Sequence, residues 1–294
     1  MMTRSTAHAR RLADESRVLV DPAGVSALLP SLDPDRFPTS RDLLLQGLLH
    51  LPRIASSNGE VDIETARDEL DRLHALRVDE IKPYKDLAAT PPAIPTISEI
   101  DVRVIHQDDA EPIASHFHYL RSFRRDSVYV AAVAASRIVA LCSISPFDLP
   151  HIAGKLVMVS PDEVAVVSRV FAFDWAPRNT ISFMLARAEA LTSTRMLLTY
   201  LNPNMGFTGA SYKAANWQSV GFETGTRYAY LNARYTTDRQ LSALPPEERL
   251  AVQFSRMRLL PLELYGRVLD RRLIPAYTGR APFVVARPPF AWTG

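Results

Sequence analysis

The sequence predicts an α/β fold: a mixed central sheet flanked by helices, with a mostly helical N-terminal extension and an Arg-rich C-terminal extension. Three observations carry this. Between residues 101 and 231, short β-rich runs alternate with segments of helical periodicity. A proline cluster (Pro91, Pro92, Pro95) interrupts the chain just before that region. After residue 233 the composition shifts to ten arginines against five acidic residues.

In chain order, apolar residues first cluster at Val18 to Leu29 and Leu43 to Leu51, broken by Pro22, Pro30, Pro34 and Pro38. Ile63, Ala66, Leu70, Leu73 and Leu76 recur at helical spacing among charges, so a helix is expected over Ile63 to Val78. Ala88 to Ser98 reads as a linker, because its prolines forbid a regular helix. This gives an N-terminal segment 1–95, a core 96–233 and a basic segment 234–294.

Within the core, Asp101 to Ile105 alternates like a strand. Asp108 to Arg121 opens with acidic residues and a proline, which favour a helix start. Val128 to Ala135 and Ile138 to Ser145 are separated by Ser136 and Arg137 alone, and read as a hairpin. Val164 to Phe173 is a strand, Asn179 to Leu191 a helix with Asn179 or Thr180 as N-cap, and Met196 to Leu201 a strand. A short helix over Thr208 to Trp217 and a strand over Val220 to Leu231 complete the core. Beyond it, Pro245 to Leu260 looks helical. In such sheets ligands bind beyond the strand ends, which points to Ser168 to Ser182 and Thr199 to Trp217.

The 294 residues carry 34 basic and 32 acidic side chains, so the formal charge is only +2. That excludes a histone-like binder whose affinity rests on bulk positive charge, but leaves room for a local basic patch. The split is uneven: −3 over 1–95, zero over 96–233 and +5 over 234–294. Only Lys82, Lys85, Lys155 and Lys213 are lysines; the other 30 basic residues are arginines, which suit bidentate phosphate or carboxylate contacts, although a GC-rich genome gives the same bias. One cysteine, Cys142, rules out a disulfide framework and a Cys-based zinc site, and its apolar surroundings make it a buried thiol. No run approaches the roughly 20 apolar residues of a membrane span. The Arg-bearing start, Met1 to Arg17, lacks the apolar core of a secretory signal, so a cytoplasmic protein with no membrane partner is expected.

Four local patterns resemble one family. They are His118-Tyr119; Ser168-Arg169-Val170; Pro177, Asn179 and Ser182 at a helix start; and Gly209, Tyr212, Ala214, Asn216 and Trp217, followed by Gly221-Phe222. Together with the element order over Asp101 to Leu231, they resemble the GNAT acyltransferase superfamily. Within it they resemble the Mom-like branch, named for a phage protein that modifies adenine in DNA. Two features depart from the pattern. Acetyl-CoA-dependent members cradle the pyrophosphate on a glycine-rich loop before the helix, whereas here the loop reads Ala176 to Ser182 without a glycine. Acetyl-CoA held in the usual way is therefore not expected, and the chain is also similar to GNAT enzymes that take an acyl group from aminoacyl-tRNA. Asn202 stands where the DNA-modifying branch is expected to carry aspartate.

The resemblance implies an N-acyltransferase. Its leading form moves an aminoacyl group from tRNA onto an amine of a small molecule, as in natural-product assembly. One alternative is a Mom-like enzyme acting on adenine in duplex DNA, which must extrude its base. The other is an inactive GNAT-like nucleic-acid-binding protein. Tyr212 is the expected acid for the leaving group and His118 the expected base, since imidazole titrates near neutrality. Asn202 is expected to hold the acceptor or to fix Tyr212, and Tyr119 and Asn216 to bind substrate. Arg169 in an apolar strand needs a partner, either a phosphate or carboxylate in the cleft or a salt bridge at the strand end. Asn179 and Ser182 either donate to a phosphate or carbonyl or cap their helix, and Trp217 belongs to the core. His116 and His118 do not share a helix face, so no metal site is expected. Phosphate contacts to a nucleic acid are expected on the C-terminal arginines, among them Arg256, Arg258, Arg271 and Arg272.

Overall fold

The computed structural model describes residues 16–33, 36–156 and 160–288, so segment 1–15 with its arginines lies outside the described residues. The chain divides into two compact units. One holds Pro83–Pro203, Phe207–Thr226 and Leu260–Gly294; the other holds Met1–Lys82, Asn204–Gly206 and Arg227–Leu259.

The first unit is built on an eight-stranded sheet. Its strands are β1 (Asp101–Ile105), β2 (Val128–Ala134), β3 (Arg137–Pro146), β4 (Val164–Ala172), β5 (Met196–Leu201), β6 (Gln218–Thr224), β7 (Leu262–Val268) and β8 (Phe283–Ala286). They lie in the order β8-β6-β7-β5-β4-β3-β2-β1. Strands β1 to β4 form an antiparallel meander. The β2–β3 turn falls at Ala135 and Ser136, one residue before the expected position, and both have positive φ (46° and 64°) as a two-residue type I′ loop requires. Strand β4 then pairs with β5 in parallel, which demands a crossover, and the helix Thr180–Ala188 supplies it.

Four helices matter for the site: α1 (Gln107–Pro112), α2 (Pro150–Ala153), α3 (Thr180–Ala188) and α4 (Ala210–Ala214). Along β5, side chains alternate between two apolar clusters. Leu197 and Leu201 join Met184, Leu185, Ala215 and Trp217 on the α3/α4 face, while Met196 and Leu198 join Ile152, Leu156, Leu273 and Tyr277 on the other. With both faces covered, the central strands read as continuous apolar runs rather than alternating ones.

Several elements differ from the sequence reading. Leu262–Val268, assigned to the basic extension, is instead strand β7 in the middle of the sheet, pairing with both β5 and β6. Its Glu263 and Arg267 masked an apolar strand in which Leu264, Tyr265 and Gly266 are buried. The helix expected over Asp108 to Arg121 stops at Phe117. Pro112 cannot donate to the residue four positions before it, and the chain continues as a wider π turn over Ile113–Phe117 closed by His118 N–H on the Ile113 carbonyl at 3.0 Å. The strand expected over Val220 to Leu231 is broken at Gly225 (φ 77°) into β6 and a separate Ala229–Leu231. Pro245 to Leu260 holds one helical turn, Pro246–Arg249, and a two-residue strand, Gln253–Phe254, since its prolines and scattered apolar residues sustain no longer repeat.

The second unit packs helices Pro22–Leu28, Ser40–His50 and Ile63–Ile81, capped by Asp21, Thr39 and Asp62, each accepting a backbone N–H. Arg17–Leu19 pairs with Glu60–Asp62, and Ala229–Leu231 pairs with both Arg234–Thr236 and Gln253–Phe254. Arg77 is fully buried and forks onto Asp42 (2.8 and 3.1 Å), with Glu80 at 3.0 Å. A guanidinium so enclosed is tolerable only because its charge is matched.

Candidate active site

Strands β4 and β5 pair only at Val164↔Met196, Ala165↔Leu197 and Val166↔Leu198, then diverge. Ser168 is the reason on the β4 side: the register with β3 skips it between Ser143↔Arg169 and Ile144↔Val167, a bulge that bends the strand. Thr199 sits at the apex of the opening, its hydroxyl donating to the Val167 carbonyl at 2.9 Å. An opening between parallel strands, beyond their paired ends and ahead of a crossover helix, is where α/β sheets receive ligands.

Tyr212 reaches this opening from α4. Its hydroxyl lies 3.4 Å from Thr199 Oγ1, and its ring packs against Trp217 (centroids 5.5 Å) and Tyr265 (5.7 Å). Burial raises its pKa above the ordinary phenol value, partly opposed by Thr199, so the group is a phenol and not a phenolate at neutral pH. Tyr119 comes from the turn after the π segment. Its ring meets His118 (4.6 Å) and Phe207 (5.6 Å), and burial pushes its hydroxyl up to about 12 against the opposing charge of Arg169.

His118 is 3% exposed, and its Nδ1 accepts the Leu120 N–H at 3.2 Å. Burial, then the neighbouring Arg169, hold its pKa well below the ordinary imidazole value. A neutral ring with Nδ1 engaged carries its proton on Nε2, so His118 offers a hydrogen-bond donor, not the base expected of it. Arg169 donates to the Ser122 carbonyl (3.1 Å), the Ser122 hydroxyl and the Ser168 carbonyl (2.6 Å). Through these contacts it ties the segment after His118 to β4.

Tyr212, Tyr119, His118 and Arg169 are thus brought to one locality. Asn202 follows β5 directly and is half-buried. At the start of α3, Asn179 adopts the left-handed conformation (φ 68°) and makes no side-chain cap, while Thr180 and Ser182 donate their hydroxyls to the Pro177 and Asn179 carbonyls (2.7 and 2.9 Å). Asn216 has a backbone role. It takes φ 60° just after α4, where Asn216 N–H bonds the Lys213 carbonyl and Trp217 N–H the Tyr212 carbonyl, the two bonds of a Schellman terminus. The C-terminal arginines are not brought together within one unit: Arg256 and Arg258 belong to one, Arg271 and Arg272 to the other, and Arg272 is paired with Asp270 at 2.7 Å.

Sequence reasoning missed two polar groups in the larger unit. Four serine hydroxyls form a chain, Ser127 to Ser145 (2.8 Å), Ser145 to Ser168 (2.6 Å) and Ser168 to Ser143 (2.8 Å). The signal was present as serine at alternate positions of an otherwise apolar strand. The second group is Glu223, 4% exposed on β6, which accepts from Tyr200 (3.0 Å) and faces His151 Nε2 (3.0 Å). An acidic residue ending the run Val220-Gly221-Phe222-Glu223 was its only mark in the sequence. Among the described residues, no cluster of three or more His, Cys, Asp or Glu could hold a metal ion, and no helix is long and apolar enough to cross a membrane.

The family model of Mom proteins matches residues 99–257, over half of the chain and including every element of the opening between β4 and β5. The chain belongs to the Mom protein family. No curated protein matches it. Among solved structures it is similar to spermidine N-acetyltransferase from Vibrio cholerae (TM-score 0.37, 6% identity, 61% of this chain and 99% of that one). It is also similar to a GNAT-family acetyltransferase from Streptococcus pneumoniae (0.34, 11%, 58% and 100%) and to a putative phosphinothricin N-acetyltransferase (0.31, 14%, 58% and 99%). In this member of the Mom family the motif residues divide in role: Tyr119, His118 and Tyr212 face one another's surroundings, while Asn216 and Trp217 close helix α4.

Proposed function

We propose that this Mom-family protein is an N-acyltransferase in which Tyr212 protonates the leaving group. The observation that carries the proposal is the position of that phenol: kept protonated by burial and held near Thr199, it stands at the opening between β4 and β5. In acyl transfer, a neutral amine attacks the donor carbonyl and its π electrons move to oxygen. On collapse the carbonyl re-forms, the bond to the leaving oxygen or sulfur breaks, and the phenol proton goes to that atom. His118 Nε2–H and the hydroxyl of Tyr119 are the donors available to steady the developing oxyanion.

For the donor we propose aminoacyl-tRNA, with an amine of a small molecule as acceptor. The loop from Ala176 to Ser182 has no glycine, and the hydroxyls at the start of α3 are turned onto its own carbonyls, which disfavours a CoA pyrophosphate there. A second reading, transfer onto adenine in duplex DNA, is favoured by the family match. The test offers total tRNA charged with labelled amino acids, and separately labelled acetyl-CoA, with small primary amines or a DNA duplex as acceptor. Label passing from tRNA into an amide of a small amine supports the first reading. Label on DNA supports the second, and no transfer from either donor removes both.

A further inference from the structure

Acyl transfer to an amine needs a base as well as an acid, and His118, neutral with Nδ1 engaged, does not supply it. A second polar cluster with an imidazole lies on the opposite face of β5. Thr199 and Leu201 share their face with Tyr212 and helices α3 and α4, whereas Tyr200 packs with the cluster that includes Ile152 of α2. Tyr200 also lies two residues beyond the last β4–β5 pair, in the part of β5 that borders the opening. Its hydroxyl donates to Glu223 Oε2 at 3.0 Å, and the same oxygen faces His151 Nε2 at 3.0 Å.

We propose that His151 and Glu223 form the proton-accepting dyad of this site, resting on the acyl-transfer reading above. In this dyad Nε2 donates to Glu223 Oε2, which leaves Nδ1 as the basic nitrogen. The ring is 24% exposed, so that nitrogen is within reach of an acceptor, while Glu223 is closed in. As the amine nitrogen forms its bond to the carbonyl carbon, its surplus proton passes to His151 Nδ1. The imidazolium is then stabilised by Glu223, and the proton returns to solvent as Tyr212 is reprotonated. Tyr212 and Tyr200, the residue that links the dyad to β5, lie on opposite faces of that strand.

The other charged or titratable groups around the dyad are Arg287, whose Nε is 3.8 Å from Glu223 Oε1, the Tyr200 hydroxyl, and Asp148, which acts on Tyr200 and pairs with Arg124 at 3.2 Å. Tyr200 and Arg287 thus hold the two oxygens of Glu223 in place, and Asp148 is engaged by Arg124.

The test uses the full chain and the donor and acceptor that wild type accepts. His151→Gln retains an amide donor to Glu223 but no base. It is expected to lose about 100-fold in kcat with KM within about twofold, general-base catalysis being of that size. His151→Ala is expected to regain activity on addition of free imidazole, and Glu223→Gln to lose activity with a changed acid limb of its pH–rate profile. Nitrogen NMR of the wild-type histidines is expected to show His151 protonated on Nε2. A His151→Gln enzyme with wild-type kcat, absence of imidazole rescue, or a proton on Nδ1 overturns the dyad while leaving acyl transfer intact. Wild type that transfers no acyl group overturns the function and the dyad with it.

Discussion

Glycine and alanine at position 216 separate a backbone role from a substrate contact. Asn216 is exposed, sits at φ 60°, and makes its two defined contacts through the main chain: its N–H to Lys213 and its carbonyl from Arg267 Nη1 at 3.2 Å. Both bonds survive any substitution that keeps the left-handed turn. That conformation costs an L-residue roughly 1–2 kcal/mol, asparagine pays less, and glycine pays nothing while losing about 0.5–1 kcal/mol through greater unfolded-state freedom. Asn216→Ala is therefore expected to lower the unfolding free energy by about 1 kcal/mol, and Asn216→Gly to leave it within about 0.5 kcal/mol. Urea denaturation with linear extrapolation measures both. Activity per folded molecule should stay within about twofold in either variant, because a substrate hydrogen bond is worth roughly 1–3 kcal/mol and none is being removed. A Gly variant with normal stability but a KM raised more than about tenfold would refute the backbone account and return Asn216 to the binding residues named from sequence.

Three further outcomes are expected. Tyr212→Phe loses only a 3.4 Å contact to Thr199, so it should fold as wild type yet lose about 100-fold or more in kcat; wild-type turnover would remove the assigned acid. His118 has a folded pKa below its unfolded value of about 6.5, so the stability tied to it is present above that pH and falls as pH drops below it, by at most about 1.4 kcal/mol per unit. His118→Asn, which can accept the Leu120 N–H, should flatten that slope, and an unchanged slope in chemical denaturation at pH 5 to 6.5 would contradict the assignment. In the second unit, Arg77→Met strands the buried Asp42 carboxylate and should cost about 3–5 kcal/mol, whereas Arg77→Met with Asp42→Asn should recover much of it; additive losses in that cycle would show that the pair is not coupled.

The order of elements from residue 101 to residue 224 was legible because each one is a local pattern: an alternating strand, a two-residue turn, a helix with its start signal. Strand β7 was not, since what makes Leu262–Val268 a central strand is its pairing with β5 and β6, some 60 and 40 residues earlier in the chain, and Glu263 and Arg267 gave it a surface appearance. The site divides the same way. Tyr212, Tyr119, His118 and Arg169 stood out by residue type and motif, and the structure brings them to one opening. Their roles depended on contacts that no spacing reveals, such as the Leu120 N–H on His118 Nδ1 and the Ser122 oxygens on Arg169. Glu223 and His151, 72 residues apart, left no joint signature at all.

The central claim is that the opening between β4 and β5 catalyses acyl transfer to an amine with Tyr212 as acid. Its most direct measurement is single-turnover transfer of label from charged tRNA to small primary amines, with wild type and Tyr212→Phe compared side by side and acetyl-CoA run as the alternative donor. The account predicts an acid-stable amide product with wild type and its formation slowed by about 100-fold in the variant. Equal rates in the two proteins, or no amide from either donor, would contradict it.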